Sequence, residues 1–144
     1  MTALLIDTSV LLKWFAEGDE DEVPQARAIR EAHVVGAHDA RLLDLALYEL
    51  SNVLLRRRSW SAVEVADAVD DLVSLLGRVL PISPTWARHG FFLAEQHGLT
   101  SYDACWAAAA QHLGVPLVSA DRQLLRAGLA ESATSVSRRL GLLS

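Results

Sequence analysis

The chain opens on Ala3-Leu4-Leu5-Ile6-Asp7-Thr8-Ser9, an unbroken apolar run that ends at an acid and two hydroxyl residues. A short apolar run without polar alternation is typical of a strand that is buried on both faces, as strands of parallel sheets are. Asp, Thr and Ser are favoured residues at the start of helices. The stretch therefore predicts a buried strand that is followed at once by a helix.

The same order of strand, acid and helix returns near the end of the chain. Leu117–Ala120 is a second apolar run, and Asp121 follows it and opens a predicted short helix. Further strands are predicted at Val34–Ala37, Val79–Ser83 and Thr134–Val136. The strand at Val79–Ser83 contains a proline, which cannot donate a hydrogen bond to a neighbouring strand, so we expect it at the edge of the sheet.

Helical patterns fill most of the remaining sequence. They span Val10–Ala16, Ala40–Arg58, Ser61–Gly77, Pro84–Gly98 and Ser101–Leu113. Strands that alternate with helices are typical of a parallel sheet covered on both faces. No repeat, low-complexity segment or linker interrupts the pattern, so we predict a single domain over residues 1–144.

The composition bounds the class of protein. Apolar residues make up 51% of the chain and charged residues 22%, which argues against disorder, and the apolar stretches are too short to span a membrane. A net charge of −5 weighs against a broad surface that binds nucleic acid by positive charge, although an acidic site could still bind phosphate through a metal ion. The start has no basic leader and the single cysteine, Cys105, fits a reducing compartment, so a cytoplasmic location is expected.

Four carboxylates lie where carboxylates are costly. Asp7 and Asp121 end the two apolar strands, Asp103 opens an Ala-rich helix, and Glu49 lies on the apolar face of a Leu-rich helix. The alternatives are structural: the aspartates could cap helices, and Glu49 could pair with Arg56 at the edge of the core.

As a set, the four acids point to metal chemistry. Ligands of open parallel sheets bind at the carboxyl ends of strands, so the fold could gather the acids in one pocket. Clustered carboxylates cannot all stay ionised unless a cation neutralises them. Mg²⁺ and Mn²⁺ prefer oxygen ligands, and a bound divalent ion turns an acidic pocket into one that holds phosphate. The set therefore predicts hydrolysis of a phosphodiester.

Other chemistries lack their motifs. The chain has no Gly-rich dinucleotide or Walker-type phosphate loop, no nucleophile elbow, and no zinc spacing among its five histidines. An aspartyl phosphatase would need a second acid two residues after Asp7, where Ser9 stands. A phospho-receiver would need a lysine after a late strand, and Lys13 is the only lysine.

Four segments carry a resemblance to PIN domains, and specifically to the VapC toxins of bacterial and archaeal toxin–antitoxin pairs. They are Leu5-Ile6-Asp7-Thr8-Ser9, Tyr48-Glu49-Leu50-Ser51-Asn52-Val53-Leu54, Thr100-Ser101-Tyr102-Asp103-Ala104, and Leu117-Val118-Ser119-Ala120-Asp121 with Leu124. The resemblance covers nearly the whole chain. It implies a three-layer α/β/α PIN-like fold with a central, mostly parallel sheet of four to five short strands. It further implies an Mg²⁺- or Mn²⁺-dependent endoribonuclease that forms a homodimer and is inhibited by a small VapB-like antitoxin, in a heterotetramer or larger assembly.

The resemblance also implies a role for each acid. Asp7, Glu49, Asp103 and Asp121 would form the acidic site, with Asp7 and Asp103 as direct metal ligands. Asp121 would act through water, and Glu49 would position or activate that water. Three neighbours would support the acids, namely Thr8, Asn52 and Ser119.

Basic residues near the acids could hold the RNA substrate, because Arg binds phosphate with two parallel hydrogen bonds. The candidates are Arg56, Arg57 and Arg58 at the end of the Glu49 helix and Arg122 beside Asp121, with Arg126 and Lys13 as further ones. The alternative for the Arg triplet is the favourable placement of cations at a helix C-terminus. The tryptophans are expected in the core or in an interface, namely Trp14, Trp60, Trp86 and Trp106.

An alternative function is a catalytically silent PIN-like module that only binds a partner protein. The presence of all four acids argues against this alternative.

Overall fold

The structure, a computed structural model, describes residues 2–143 as an α/β fold. The strands are β1 (Thr2–Ile6), β2 (His38–Leu43), β3 (Val79–Leu80) and β4 (Leu117–Val118). The helices are α1 (Thr8–Leu11), α2 (Val23–Val34), α3 (Leu45–Arg56), α4 (Ala62–Leu76), α5 (Pro84–His97), α6 (Ser101–Leu113), α7 (Arg122–Arg126) and α8 (Ala133–Leu140). A 3₁₀ turn over Leu12–Phe15 extends α1.

The four strands form one parallel sheet in the order β3-β2-β1-β4, with helices packed around it. The central strand is β1, whose residues Leu4, Leu5 and Ile6 are fully buried. This burial explains why the opening stretch has no polar alternation, because both faces of a central parallel strand are covered. The predicted three-layer α/β/α fold is confirmed, and β3 lies at the sheet edge, as Pro81 directly after it predicts.

The strand order places a topological switch point between β1 and β4. The chain leaves β1 to build β2 and β3 on one side and returns to place β4 on the other side. In the register, Ile6 pairs with Val118, so the next residues of both strands, Asp7 and Ser119, leave the sheet side by side. Open α/β sheets bind ligands in the crevice at this point.

An antiparallel pair of helices, α5 and α6, brings Asp103 to the same end of the molecule. A Cβ added at Gly90 of α5 would lie 3.0 Å from the Cys105 sulfur and 3.2 Å from the Cys105 Cα, so the glycine permits close approach of the two helices. The Ala-rich face of α6 is buried in the core, and Thr100 caps its start. Close packing by small residues therefore fixes the position from which Asp103 projects.

Two predicted elements are wrong around the second strand. The strand predicted at Val34–Ala37 is the end of α2 and a turn at Gly36. Residues 40–43, which were predicted to begin a helix, belong to β2 (His38–Leu43). These residues form a strand because they pair with β1 on one side and with β3 on the other. Tertiary pairing overrides the local pattern here, because the first residues of β2 are polar and only partly buried.

The strand predicted at Thr134–Val136 is also wrong, because these residues belong to α8. The hydroxyl of Ser132 accepts a hydrogen bond from the Ser135 amide and starts the helix. The residue that bridges to β4 is Glu131, which comes just before this helix. None of the helices within residues 2–143 combines the length and the apolar character that a membrane span requires.

Candidate active site

The Asp7 carboxylate lies at the switch point between β1 and β4. The residue is 4% exposed, and its carboxylate accepts hydrogen bonds from the hydroxyls of Ser9 at 2.6 Å and Ser119 at 2.8 Å. Asp7 occupies the residue before α1, yet its carboxylate caps no helix amide. The structural alternative for Asp7, a helix cap, therefore does not account for this side chain.

Burial is the main cause of an unusual acidity at Asp7. The pKa of Asp7 is raised from 3.8 to about 6, and loss of solvation is the largest cause of this rise. The hydrogen bonds from Ser9 and Ser119 oppose the rise, and the negative charges of Glu49 and Asp103 contribute to it. A carboxylate that is buried near two other acids without a cation is costly, and such strain is typical of functional sites.

The Glu49 carboxylate is fixed by two donors from different elements. Its Oε1 accepts hydrogen bonds from the Thr8 hydroxyl at 2.8 Å and from the indole N–H of Trp106 at 2.9 Å. No ion pair within residues 2–143 joins Glu49 to Arg56, so the structural alternative for Glu49 is not realised. Both hydrogen bonds are made through one oxygen, which leaves Oε2 to face other groups.

Asp103 projects from the first turn of α6 toward the other acids. Burial raises the pKa of Asp103, and the charges of Asp121 and Glu49 raise it further, while the hydrogen bond with Thr100 lowers it. The backbone amide of Asp103 donates to the Thr100 hydroxyl at 3.1 Å, so the predicted cap is present. The cap is compatible with the cluster of acids, since it uses the hydroxyl of Thr100 as acceptor and leaves the Asp103 carboxylate near Asp121.

Asp121 follows the end of β4 and caps α7 with its side chain. Its Oδ1 accepts hydrogen bonds from the amides of Gln123 at 2.9 Å and Leu124 at 3.0 Å. The backbone amide of Asp121 donates to the Ser119 hydroxyl at 2.9 Å. Oδ1 of Asp121 therefore acts as a helix cap, which was the structural alternative, and only Oδ2 is left to bind a ligand.

Two hydroxyls tie the ends of β1 and β4 together. The Ser9 hydroxyl accepts a hydrogen bond from the Ala120 amide at 2.9 Å and lies 3.3 Å from the Ser119 hydroxyl. Both serines donate to Asp7, and Ser119 also accepts from the Asp121 amide, so one network joins Asp7 and Asp121. The roles of Ser9 and of Trp106 as donors to the acids were not among the sequence-based predictions.

Asn52 lies one turn after Glu49 on α3 but makes no hydrogen bond to it among the described side chains; the donors to Glu49 are Thr8 and Trp106. Instead Asn52 is exposed and lines an open cleft beside Glu49, together with Tyr48. Its predicted role in orienting the carboxylate through a direct contact has no support in this geometry.

The basic candidates fall into two groups, exposed side chains and side chains that bind other groups of the protein. The exposed side chains are Arg56, Arg57, Arg122 and Arg126. The guanidinium of Arg58 donates to the carbonyl of Phe15 at 3.0 Å and lies 3.9 Å from Glu20, and Lys13 pairs with the same glutamate at 3.3 Å. Arg58 and Lys13 are thus occupied in anchoring the segment after α1, because backbone carbonyls and Glu20 already take up their donors.

The donor set of the site suits a hard cation. It consists of carboxylate and hydroxyl oxygens, which are the ligands that Mg²⁺ and Mn²⁺ prefer. Within residues 2–143, no three His, Cys, Asp or Glu side chains converge tightly enough to enclose an ion by themselves. Mg²⁺ commonly binds through one or two carboxylates and completes its shell with water and substrate phosphate, so an open acidic site of this kind fits it.

Comparison with known proteins agrees with this fold. A family model described as the PIN domain matches residues 4–129. Ribonuclease VapC3 of Pyrobaculum aerophilum is 30% identical over 125 residues, which are 84% of this chain and 91% of that protein.

Solved structures share the same architecture. The crystal structure of PAE2754 from Pyrobaculum aerophilum is 27% identical, covers 99% of this chain and 98% of its own, and has a TM-score of 0.68. VapBC2 from Rickettsia felis, solved bound to a promoter DNA fragment, is 14% identical with a TM-score of 0.63 over 88% of this chain and 92% of that one, a likeness that concerns the fold alone. This chain belongs to the PIN domain family.

Proposed function

We propose that this protein is an endoribonuclease that needs Mg²⁺ or Mn²⁺ and acts as the toxin of a toxin–antitoxin pair. The observation that carries the proposal is the buried Asp7 carboxylate, which lies at the switch point, caps no helix and shares its electrostatic environment with Glu49 and Asp103. The 30% identity to a protein named as a ribonuclease supports the same activity. A divalent cation would stabilise a buried acidic cluster of this kind, because it neutralises the repulsion between the carboxylates.

Asp7 and Asp103 would hold the cation directly, and the free oxygen of Asp121 would reach it through water. When bound, the cation supplies positive charge that stabilises the phosphate in the transition state and lowers the pKa of a nearby water. The hydroxyls of Ser9 and Ser119 hold the Asp7 carboxylate in one orientation by donating to it. This preorganisation reduces the cost of ordering the site during the reaction.

Glu49 would orient the attacking water. Because Thr8 and Trp106 fix Oε1, the second oxygen points in a defined direction and can accept a proton from water. The water oxygen then bonds to phosphorus, the bond to the leaving oxygen of the RNA breaks, and that oxygen gains a proton. The exposed arginines at the end of α3, Arg56 and Arg57, would contact neighbouring phosphates.

The resemblance to VapC toxins supports two partners, a second copy of the chain and a VapB-like antitoxin that covers the acids. A short neighbouring gene that encodes a DNA-binding protein with a disordered tail would support the toxin assignment. Size-exclusion chromatography with light scattering, alone and after co-expression with that protein, measures both assemblies.

The deciding experiment is a cleavage assay on single-stranded RNA with the purified chain. We expect cleavage with Mg²⁺ or Mn²⁺, none with EDTA, and a loss of at least about 100-fold in Asp7→Asn and Asp103→Asn. Asp67→Asn, which changes an exposed acid on α4, is the matched control and should cleave normally. A metal-loaded protein that is inert on several RNAs would instead support the silent binding module.

A further inference from the structure

An open cleft of about 390 Å³ adjoins the acids on the α3 side. It is lined by Leu45, Tyr48, Glu49, Asn52 and Tyr102. Two tyrosines from different helices thus line one cleft, and each directly precedes an acid of the site in the sequence: Tyr48 precedes Glu49, and Tyr102 precedes Asp103. Because each tyrosine is next to a carboxylate residue in the sequence, both tyrosines lie close to the acids of the site.

Both tyrosine rings are unusually exposed. Tyr48 is 73% exposed and Tyr102 is 63% exposed. Over residues 2–143, no hydrogen bond holds either phenol group, and neither ring stacks on another aromatic side chain. Large aromatic side chains rimmed by polar groups are typical of binding surfaces, so these two rings call for a ligand.

The face of α3 that lines the cleft extends beyond it to the end of the helix. Tyr48, Asn52 and Arg56 follow one another at four-residue intervals, each step advancing about 6 Å along the helix. The face therefore presents an aromatic ring, an amide and an exposed guanidinium in a line that starts beside Glu49. A ring that stacks, an amide that can bond a base edge and a cation for phosphate are the features of a surface for a flexible nucleic-acid strand.

We propose that Tyr48 and Tyr102 form a stacking site for unpaired bases of single-stranded RNA, next to the phosphate that the acids cleave. This inference rests on the proposed function and adds the residues that hold the substrate. Bases of a duplex are already stacked and paired, so only a single strand offers the free base faces that the two rings can bind. The Asn52 amide on the rim and the cation that the acids would hold favour a nucleotide over an apolar protein segment.

The test measures the affinity for a fluorescein-labelled single-stranded oligoribonucleotide of mixed sequence by fluorescence anisotropy, in the Asp7→Asn background that prevents cleavage. Tyr48→Ala and Tyr102→Ala are each expected to weaken binding by about 5- to 150-fold, the range typical of lost base stacking. Tyr48→Phe keeps the ring and should bind the RNA within about twofold of the affinity of the parent protein. Phe91→Ala removes a ring that is 57% exposed and does not line the cleft, and should bind like the parent protein.

Three results would overturn the stacking site. The alanine variants could bind the RNA as tightly as the parent, they could lose affinity equally for a duplex RNA of the same sequence, or they could change the oligomeric state in light scattering while RNA binding stays intact. The last result would make the tyrosines part of a protein interface. Cleavage by the chain that retains Asp7 is measured separately: if it cleaves while the alanine variants bind normally, the stacking site fails and the nuclease stands. If it neither binds nor cleaves, both proposals fail.

Discussion

Replacement of Asp7 by asparagine is expected to make the protein more stable at neutral pH while it abolishes cleavage. The raised pKa, about 6 in the folded protein against 3.8 for a free carboxyl, corresponds to roughly 3 kcal/mol of destabilisation once Asp7 is ionised. Asparagine keeps the shape without the charge. The changed hydrogen bonds with Ser9 and Ser119 offset about 1 kcal/mol of this gain at every pH.

The sign of the pH dependence follows from proton linkage. Between about pH 4 and pH 6 the folded state keeps the Asp7 proton that the unfolded chain has released, so the free energy of unfolding falls as the pH rises through this window. The asparagine variant has no such titration. In metal-free buffer, the variant should therefore gain about 2 kcal/mol relative to the wild type between pH 4 and pH 8.

The assay is urea denaturation followed by tryptophan fluorescence in EDTA at pH 4, 6 and 8, with wild type, Asp7→Asn and the control Asp67→Asn. Because both variants remove one acid, comparison between them separates the buried site from a general change of charge. A stability difference between Asp7→Asn and wild type that does not change with pH, or that grows as the pH falls, would refute the argument that Asp7 is buried at a cost.

Three further predictions concern the surroundings of the site. Trp106→Phe removes one donor to Glu49 and should lower kcat at least about 10-fold with little change in KM in steady-state kinetics. The control Trp14→Phe, which also removes a buried indole donor, should leave kcat unchanged. Equal effects of the two substitutions on kcat would contradict the positioning role of Trp106. Gly90→Ala should destabilise the protein by about 1–3 kcal/mol in urea denaturation, because the added methyl meets the backbone of α6, and an unchanged midpoint would argue against that close approach. Ser61→Ala removes the capping box of α4 and should cost about 1 kcal/mol of stability without a loss of cleavage, as thermal unfolding and the RNA assay can test together.

Sequence reasoning succeeded where local pattern and tertiary environment agree. The opening apolar run is buried because it forms the central strand, and the helix pattern over Ser61–Gly77 is framed by a cap and a glycine stop that the structure contains at α4. The second strand was missed because it begins with His38 and Asp39, whose polar side chains suit a strand only when pairing with β1 is known. No local window carries that information.

The acids of the site could be proposed from sequence because each departs from the pattern around it, as Glu49 does on an apolar helix face. The groups that orient them could not be proposed in the same way. Trp106 looks like an ordinary core aromatic, and it is separated by 57 residues from the carboxylate that accepts its N–H. Ser9 reads as a helix cap, and only the pairing of β1 with β4 brings it to Ser119 and Ala120. Such contacts depend on topology rather than on local sequence.

Calorimetric titration of the metal-free protein with Mn²⁺ measures whether the acids around Asp7 hold a divalent cation. Wild type and the exposed-acid control Asp67→Asn are expected to bind Mn²⁺ with the same affinity, and Asp7→Asn should lose at least about 10-fold of it. If Asp7→Asn bound Mn²⁺ as tightly as the wild type, or if the wild type bound none, the account of this site would be contradicted.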